Sequence, residues 1–225
     1  MSSLAGQFVD DLHGTFAARG CPANAIRMKA YFRGQFEFFG IRSPERRRLI
    51  HEHHGDADHF AFDQIKRCVT LLWREPEREM QHTAMELLHH HQRSLTLDDL
   101  PLVREMITSR PWWDTVDFIA CKILGALLAR HPEREAAIAR EMSRGDHLWL
   151  IRSSVIFQLG RRKRTDERLL SEMILRQADH PDFFIRKAIG WALRDYAKTA
   201  PDWVASFVKG NRLSPLSVRE ALRNI

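Results

Sequence analysis

The sequence predicts an all-α protein, and three observations carry that expectation. Apolar residues recur at helical spacing nearly from end to end. Alternating apolar and polar runs joined by hairpin turns are missing. Proline followed by an acid recurs where helical stretches begin: Ser43-Pro44-Glu45, Glu75-Pro76-Glu77, His131-Pro132-Glu133, His180-Pro181-Asp182 and Ala200-Pro201-Asp202. Proline in a first turn lacks only a donor that would have no partner there, and the carboxylate complements the helix dipole.

Taken in order, the periodicity predicts helices over 4–18, 24–39, 44–54, 58–73, 77–92, 98–109, 111–130, 133–143, 146–160, 166–178, 182–198, 202–209 and 215–224. The proline–acid openings fall at the fronts of the third, fifth, eighth, eleventh and twelfth. The 11 Gly and 9 Pro punctuate the chain mostly at such boundaries. Short helices in antiparallel pairs, without a strict sequence period, predict an α-solenoid of the HEAT type with a concave basic surface. A compact bundle is the competing architecture, but so many short helices are too many for a simple one. No Pro/Gly/Ser-rich linker interrupts the chain, which predicts a single domain over 1–225.

Composition bounds the function. With 225 residues, 44% hydrophobic and 28% charged, the chain reads as globular and not disordered. A net charge of +6 permits binding to an acidic polymer without requiring it. Cys21, Cys68 and Cys121 are odd in number and widely separated, so they predict neither a disulfide framework nor an iron–sulfur cluster. No basic n-region precedes an apolar run at the N-terminus, and no segment approaches eighteen uninterrupted apolar residues. The expectation is a cytoplasmic protein that does not enter membranes.

Two segments carry aromatic residues in places a core does not explain. Over Asp182 to Lys198, Ile185, Ile189, Ala192, Leu193 and Tyr196 fall on one helical face, an ordinary core stripe. Lys187, Trp191, Arg194 and Lys198 fall on the opposite face, which suits a polyanion with flat or apolar parts. The bland alternative is a Trp packed under a loop with solvated cations. In Arg110-Pro-Trp-Trp-Asp-Thr-Val-Asp117, Trp112 joins Val116, Ile119, Ile123 and Leu127 in the core stripe. Trp113 turns away and lies above Asp117 at i+4, so an aromatic face and a carboxylate make a corner that stabilises a cation. Asp114 is a helix-dipole residue, and the alternative for Asp117 is a salt bridge to an arginine.

Arg152 interrupts the apolar stretch Leu148 to Phe157 and needs an anion, either an internal carboxylate or a bound phosphate. Arg161, Arg162, Lys163 and Arg164 follow at the end of that helix and read as a phosphate-contacting patch. The histidine runs His51-Glu-His-His54 and His89-His-His91 lack metal-ligand spacing, and Walker A, Rossmann and G-x-S-x-G signatures are absent. No metal or cofactor is expected.

Five segments together resemble the AlkD branch of the AlkC/AlkD DNA alkylation-repair glycosylases, whose fold is built of HEAT-like repeats. They are Phe38 to Arg47, Leu72 to Glu79, Trp112 to Asp117, Leu148 to Arg152 and Phe183 to Lys198, in the expected order over nearly the whole chain. The resemblance implies Asp117 as the catalytic aspartate and Trp113 and Trp191 as the tryptophans flanking the lesion. It implies Arg152 as the active-site arginine and Tyr31 as an N-terminal aromatic contact. The partner it implies is double-stranded DNA carrying alkylated purines, bound by a monomer that associates with the nucleoid. The implied reaction is hydrolysis of the N-glycosidic bond of cationic N3- or N7-alkylpurines, without enclosing a flipped base and without a Schiff-base lysine. A non-catalytic HEAT-like module that binds DNA structure or a protein partner is the alternative.

Overall fold

The computed structural model describes residues 3–57 and 59–223, the side chains of 54–57 excepted, and its regular elements are all helical. His54 of the first histidine run and Asn224 at the end of the last expected helix lie outside the described side chains and residues. Contacts between residues group the chain into two units, 1–95 and 96–225.

The first unit carries α1 (Leu4–Arg19), α2 (Pro22–Tyr31), α3 (Ser43–Ala57), α4 (Phe62–Arg74) and α5 (Arg78–His90). Ser3 caps α1 through its side chain, which accepts from the Gly6 amide. α1 packs on α4, and α4 on α5, around Phe8, Leu12, Phe16, Ile65, Val69, Leu72, Met80 and Leu88. The helix expected over 24–39 stops at Tyr31. Arg33 (φ 57°) and Gly34 (φ 72°) turn left-handed, and the Gly34 amide closes the end on the Lys29 carbonyl at 2.8 Å. Residues beyond are held by a device the periodicity does not reveal. The buried Glu79 carboxylate accepts the amides of Phe39, Gly40 and Ile41 at 3.2, 2.9 and 3.1 Å. Gly40 has φ 88°, and a Cβ there would meet the Cys21 carbonyl oxygen at 2.1 Å.

The second unit carries α6 (Leu100–Thr108), α7 (Trp113–Phe118), a π-helical turn (Ile119–Leu124), α8 (Gly125–Ala129), α9 (Pro132–Arg144) and α10 (Leu148–Ile156). It continues through α11 (Glu167–Arg176), α12 (Phe183–Ala197), α13 (Pro201–Gly210) and α14 (Pro215–Ala221). Its core gathers Ile151, Val155 and Ile156 of α10 with Ile185, Ile189 and Leu193 of α12 and Val204 of α13. Each such side chain stabilises the fold by about 1.5–3 kcal/mol when fully buried. Pro132, Pro201 and Pro215 open their helices within the first turn, as expected. At Pro181 the arrangement differs: Asp182 is the N-cap and its side chain accepts from the Phe184 amide at 2.6 Å, so the proline lies outside.

Three details of the second unit depart from the sequence reading. Trp112 is not in a helical stripe, because its backbone is extended (φ −155°) and α7 begins one residue later. Its ring instead joins Trp149 and Phe184, with centroids 5.9 and 5.2 Å away. α10 ends at Ile156 and not near 160, so Arg161 to Arg164 lie beyond it, in and beside a separate 3₁₀ turn. α12 does not present an open outer face along Lys187 and Arg194, since α14 packs there. Gly190 permits that approach: a Cβ at this position would lie 2.4 Å from the Glu220 Cβ and 2.9 Å from the Ser217 carbonyl oxygen.

Candidate active site

Pro111 and the extended Trp112 deliver the chain into α7, whose single run of six residues places Trp113 and Asp117 one turn apart on one side. The π-helical turn begins two residues after Asp117 and shifts the register of everything that follows, a feature common beside functional sites. Val116, Ile119, Ile123 and Leu127 are fully buried and anchor the element. Trp113 is half-buried at its start.

The anion required by Arg152 is Asp117. Arg152 Nε donates to Asp117 Oδ1 at 2.6 Å and its Nη2 donates to Oδ2 at 2.8 Å, a bidentate fork between α10 and α7. The remaining Nη1 donates to the Phe184 carbonyl in the first turn of α12. One guanidinium therefore ties together α7, α10 and α12. Its side chain is 5% exposed and that of Asp117 16%. Phe184, Trp112 and Trp149 form an apolar wall beside the pair, with the Arg152 guanidinium 6.0 Å from the Phe184 ring centre.

Burial pushes the Asp117 carboxyl above its ordinary value, the Arg152 guanidinium pulls it down through hydrogen bonds and charge, and nearby Asp114 pushes it up again. Each Asp117 oxygen accepts one bond from Arg152 and keeps a second lone pair. Three of the five Arg152 N–H donors are used in these bonds, so of the two anions the sequence allowed for it, the internal carboxylate is the one the structure supplies. Its geometry is that of a group that positions Asp117.

Trp191 lies on α12, half-buried against the core of the unit. Phe184 and Trp191 are seven residues apart, so they share a face about 10 Å apart along the axis. The cations around Trp191 are engaged: Lys187 Nζ and Arg194 Nη1 hold the two oxygens of Glu220 at 2.9 and 2.7 Å. Both cations and a partly buried environment act on Glu220, and the net effect lowers its carboxyl below the ordinary value. Lys198 is exposed and pairs with Asp195 at 3.0 Å.

The basic run divides. Arg161 is nearly buried, donating to Glu135 at 2.8 Å and to the Gly125 carbonyl at 2.8 Å, so it is part of the scaffold. Arg162, Lys163 and Arg164 are exposed, with Arg162 at φ 54°. In the first unit, Tyr31 ends α2 and is 68% exposed, its ring edge-on to Phe32 at 5.3 Å. His53 shares a 2.9 Å hydrogen bond with Thr15. Sequence reasoning missed Phe184 as a backbone acceptor for Arg152, and Glu220 and Glu135 as partners of the basic residues. No spacing rule marks a carboxylate that becomes a neighbour only through folding.

Fold and site define a helical-repeat protein that presents a buried carboxylate–guanidinium pair beside tryptophans. The family model described as DNA alkylation repair enzyme matches residues 12–225, and the chain belongs to that family. Among solved structures it is similar to a predicted DNA alkylation repair enzyme from Enterococcus faecalis. The TM-score is 0.86 and the identity 30%, over 92% of this chain and 96% of that one. It is also similar in fold to AlkD2 from Streptococcus mutans, with a TM-score of 0.60 and 18% identity over 76% and 85% of the two chains. No curated protein matches the chain. The AlkD-like resemblance and the all-α repeat fold read from the sequence are borne out. Among the described residues no helix is long and apolar enough to cross a membrane.

Proposed function

We propose that the protein is a monofunctional DNA glycosylase that hydrolyses the N-glycosidic bond of cationic N3- and N7-alkylpurines, such as 3-methyladenine and 7-methylguanine, in double-stranded DNA. The observation that carries this reading is the Asp117 carboxylate, clamped by Arg152 and one helical turn from Trp113. Alkylation makes the purine a cationic leaving group, so no acid is needed to protonate it. The sugar gains oxocarbenium character as the bond breaks. A carboxylate about 4 Å away at an effective dielectric near 20 contributes on the order of 4 kcal/mol. Realised mainly in the transition state, that is roughly a thousandfold in rate.

Asp117 would stabilise the sugar cation and orient the attacking water. Trp113 and Trp191 would bracket the sugar–phosphate of the lesion, each contributing about 0.5–2 kcal/mol through contact with the cation. Arg152 would hold the carboxylate ionised and aimed. Tyr31, Lys198 and the exposed Arg162, Lys163 and Arg164 would contact backbone phosphates, joined by Lys187 and Arg194 where Glu220 releases them. Acting on the sugar from helix surfaces leaves the base in its stack and the adduct untested for size.

The experiment compares release of 7-methylguanine, a bulky N7 adduct and uracil from matched duplexes. Both cationic bases should leave readily, and uracil poorly. Efficient uracil release would show that substrate charge is not the driving force, and rejection of the bulky adduct would argue for an enclosing pocket.

A further inference from the structure

The first unit holds a cluster of side chains that the proposed reaction does not use. His13 lies on α1, and Glu75 and Glu77 flank Pro76 in the connection from α4 to α5. His13 Nε2 is 3.8 Å from Glu75 Oε2 and 3.6 Å from Glu77 Oε2. One ligand atom from each residue lies within 4.8 Å of the other two.

These separations are too long for charge-assisted hydrogen bonds, which run at about 2.7–2.9 Å. They are the separations of ligands around one ion. Metal–nitrogen and metal–oxygen bonds of about 2.1 Å at a tetrahedral angle place donor atoms about 3.4 Å apart. A second observation points the same way. Glu77 Oε2 is shielded from solvent and has no hydrogen-bond partner, although carboxylate oxygens removed from water ordinarily hold one. Glu77 is also the N-cap of α5, yet its side chain caps nothing and points instead at His13. Pro76 restricts the backbone between the two glutamates, so their spacing is set in advance. The His13 ring is fixed edge-on against Phe39, with centroids 5.1 Å apart.

We propose that His13, Glu75 and Glu77 form a site for one divalent transition-metal ion of the zinc class, with its remaining position open to water. The imidazole ligand disfavours magnesium and calcium, which take oxygen, and the lack of a thiolate or thioether disfavours copper(I). A dication offsets the two carboxylates and satisfies the buried Glu77 oxygen. It also fastens α1 to the α4–α5 connection, so its role is to stabilise the first unit. None of its ligands belongs to the proposed active site.

The test is calorimetric titration of the full chain, stripped with chelator, with zinc chloride, alongside thermal unfolding with and without zinc. One equivalent should bind and raise the Tm. Glu77→Gln, Glu75→Gln and His13→Gln should each weaken binding by about tenfold or more and remove the rise. His90→Gln, at the exposed middle position of the second histidine run, should change neither. Cobalt(II) bound to the unaltered chain should show the intense visible bands of a four- or five-coordinate ion, a readout that needs no variant. No binding, binding that all three ligand variants retain, or a weak octahedral cobalt spectrum would overturn the proposal. The Asp117→Asn protein should bind zinc as the unaltered chain does, which separates this site from the proposed reaction.

Discussion

Breaking the Arg152–Asp117 fork should cost the fold heavily, and the cost can be worked from its geometry. Both donor–acceptor distances are under 3 Å and both side chains are nearly enclosed. At an effective dielectric near 20, two charges about 4 Å apart attract by about 4 kcal/mol. Desolvation offsets much of that while both partners are present, but removing one strands the other. Arg152→Met, which strands the buried carboxylate, should therefore destabilise the protein by about 3–5 kcal/mol, and Asp117→Asn by less, because burial already favours the neutral carboxyl. For a chain of this size the former is a fall in Tm of about 6–20 °C. The double variant should lose less than the sum, by about 1–3 kcal/mol, because neither charge is then left alone. Urea unfolding of the four proteins measures the cycle. Arg152→Met within 1 kcal/mol of the unaltered chain, or strict additivity, would refute the idea that Arg152 exists to hold Asp117.

Three further outcomes follow from other contacts. Gly190→Ala should destabilise by about 1–3 kcal/mol in urea unfolding, since its Cβ collides with α14 at Glu220 and Ser217. Glu220→Gln should tighten DNA binding and steepen its salt dependence by about 0.9 for each cation freed, whereas Lys198→Gln should flatten it by about the same; unchanged slopes would place the DNA elsewhere. Base release should fail on acidification at a pH above the ordinary carboxylate range, because burial lifts the Asp117 carboxyl, and Arg152→Met should move that limb higher still. The folded Asp117 takes its proton more readily than the unfolded one, so its protonation does not itself unfold the chain, and rate should fall before Tm does.

The helices were legible because their signals are local. Apolar spacing and proline–acid openings placed most of the elements within a few residues, and the segments around Trp112 to Asp117 and Phe183 to Lys198 pointed to the family. The i+4 relation of Trp113 and Asp117 was also local. What stayed hidden depends on distance in the chain. Arg152 could be seen to need an anion, but not that Asp117, 35 residues away, supplies it. The outer face assigned to Lys187 and Arg194 is half covered because Gly190 admits α14, and a glycine in a helix does not announce what it admits. Arg33-Gly34 ended α2 against a periodicity that ran on, since left-handed closure overrides side-chain pattern. His13 and the Glu75–Glu77 pair lie too far apart in sequence for any ligand spacing to join them.

The most direct test of the central claim is single-turnover release of 7-methylguanine from methylated duplex DNA by the unaltered chain, Asp117→Asn and Asp114→Asn. It is run below the Tm of all three and normalised to the folded fraction. Asp117→Asn should still bind the duplex but release base on the order of a thousandfold more slowly, while Asp114→Asn stays near the unaltered rate. Equal losses from both, or base release by folded Asp117→Asn at the unaltered rate, would contradict the claim.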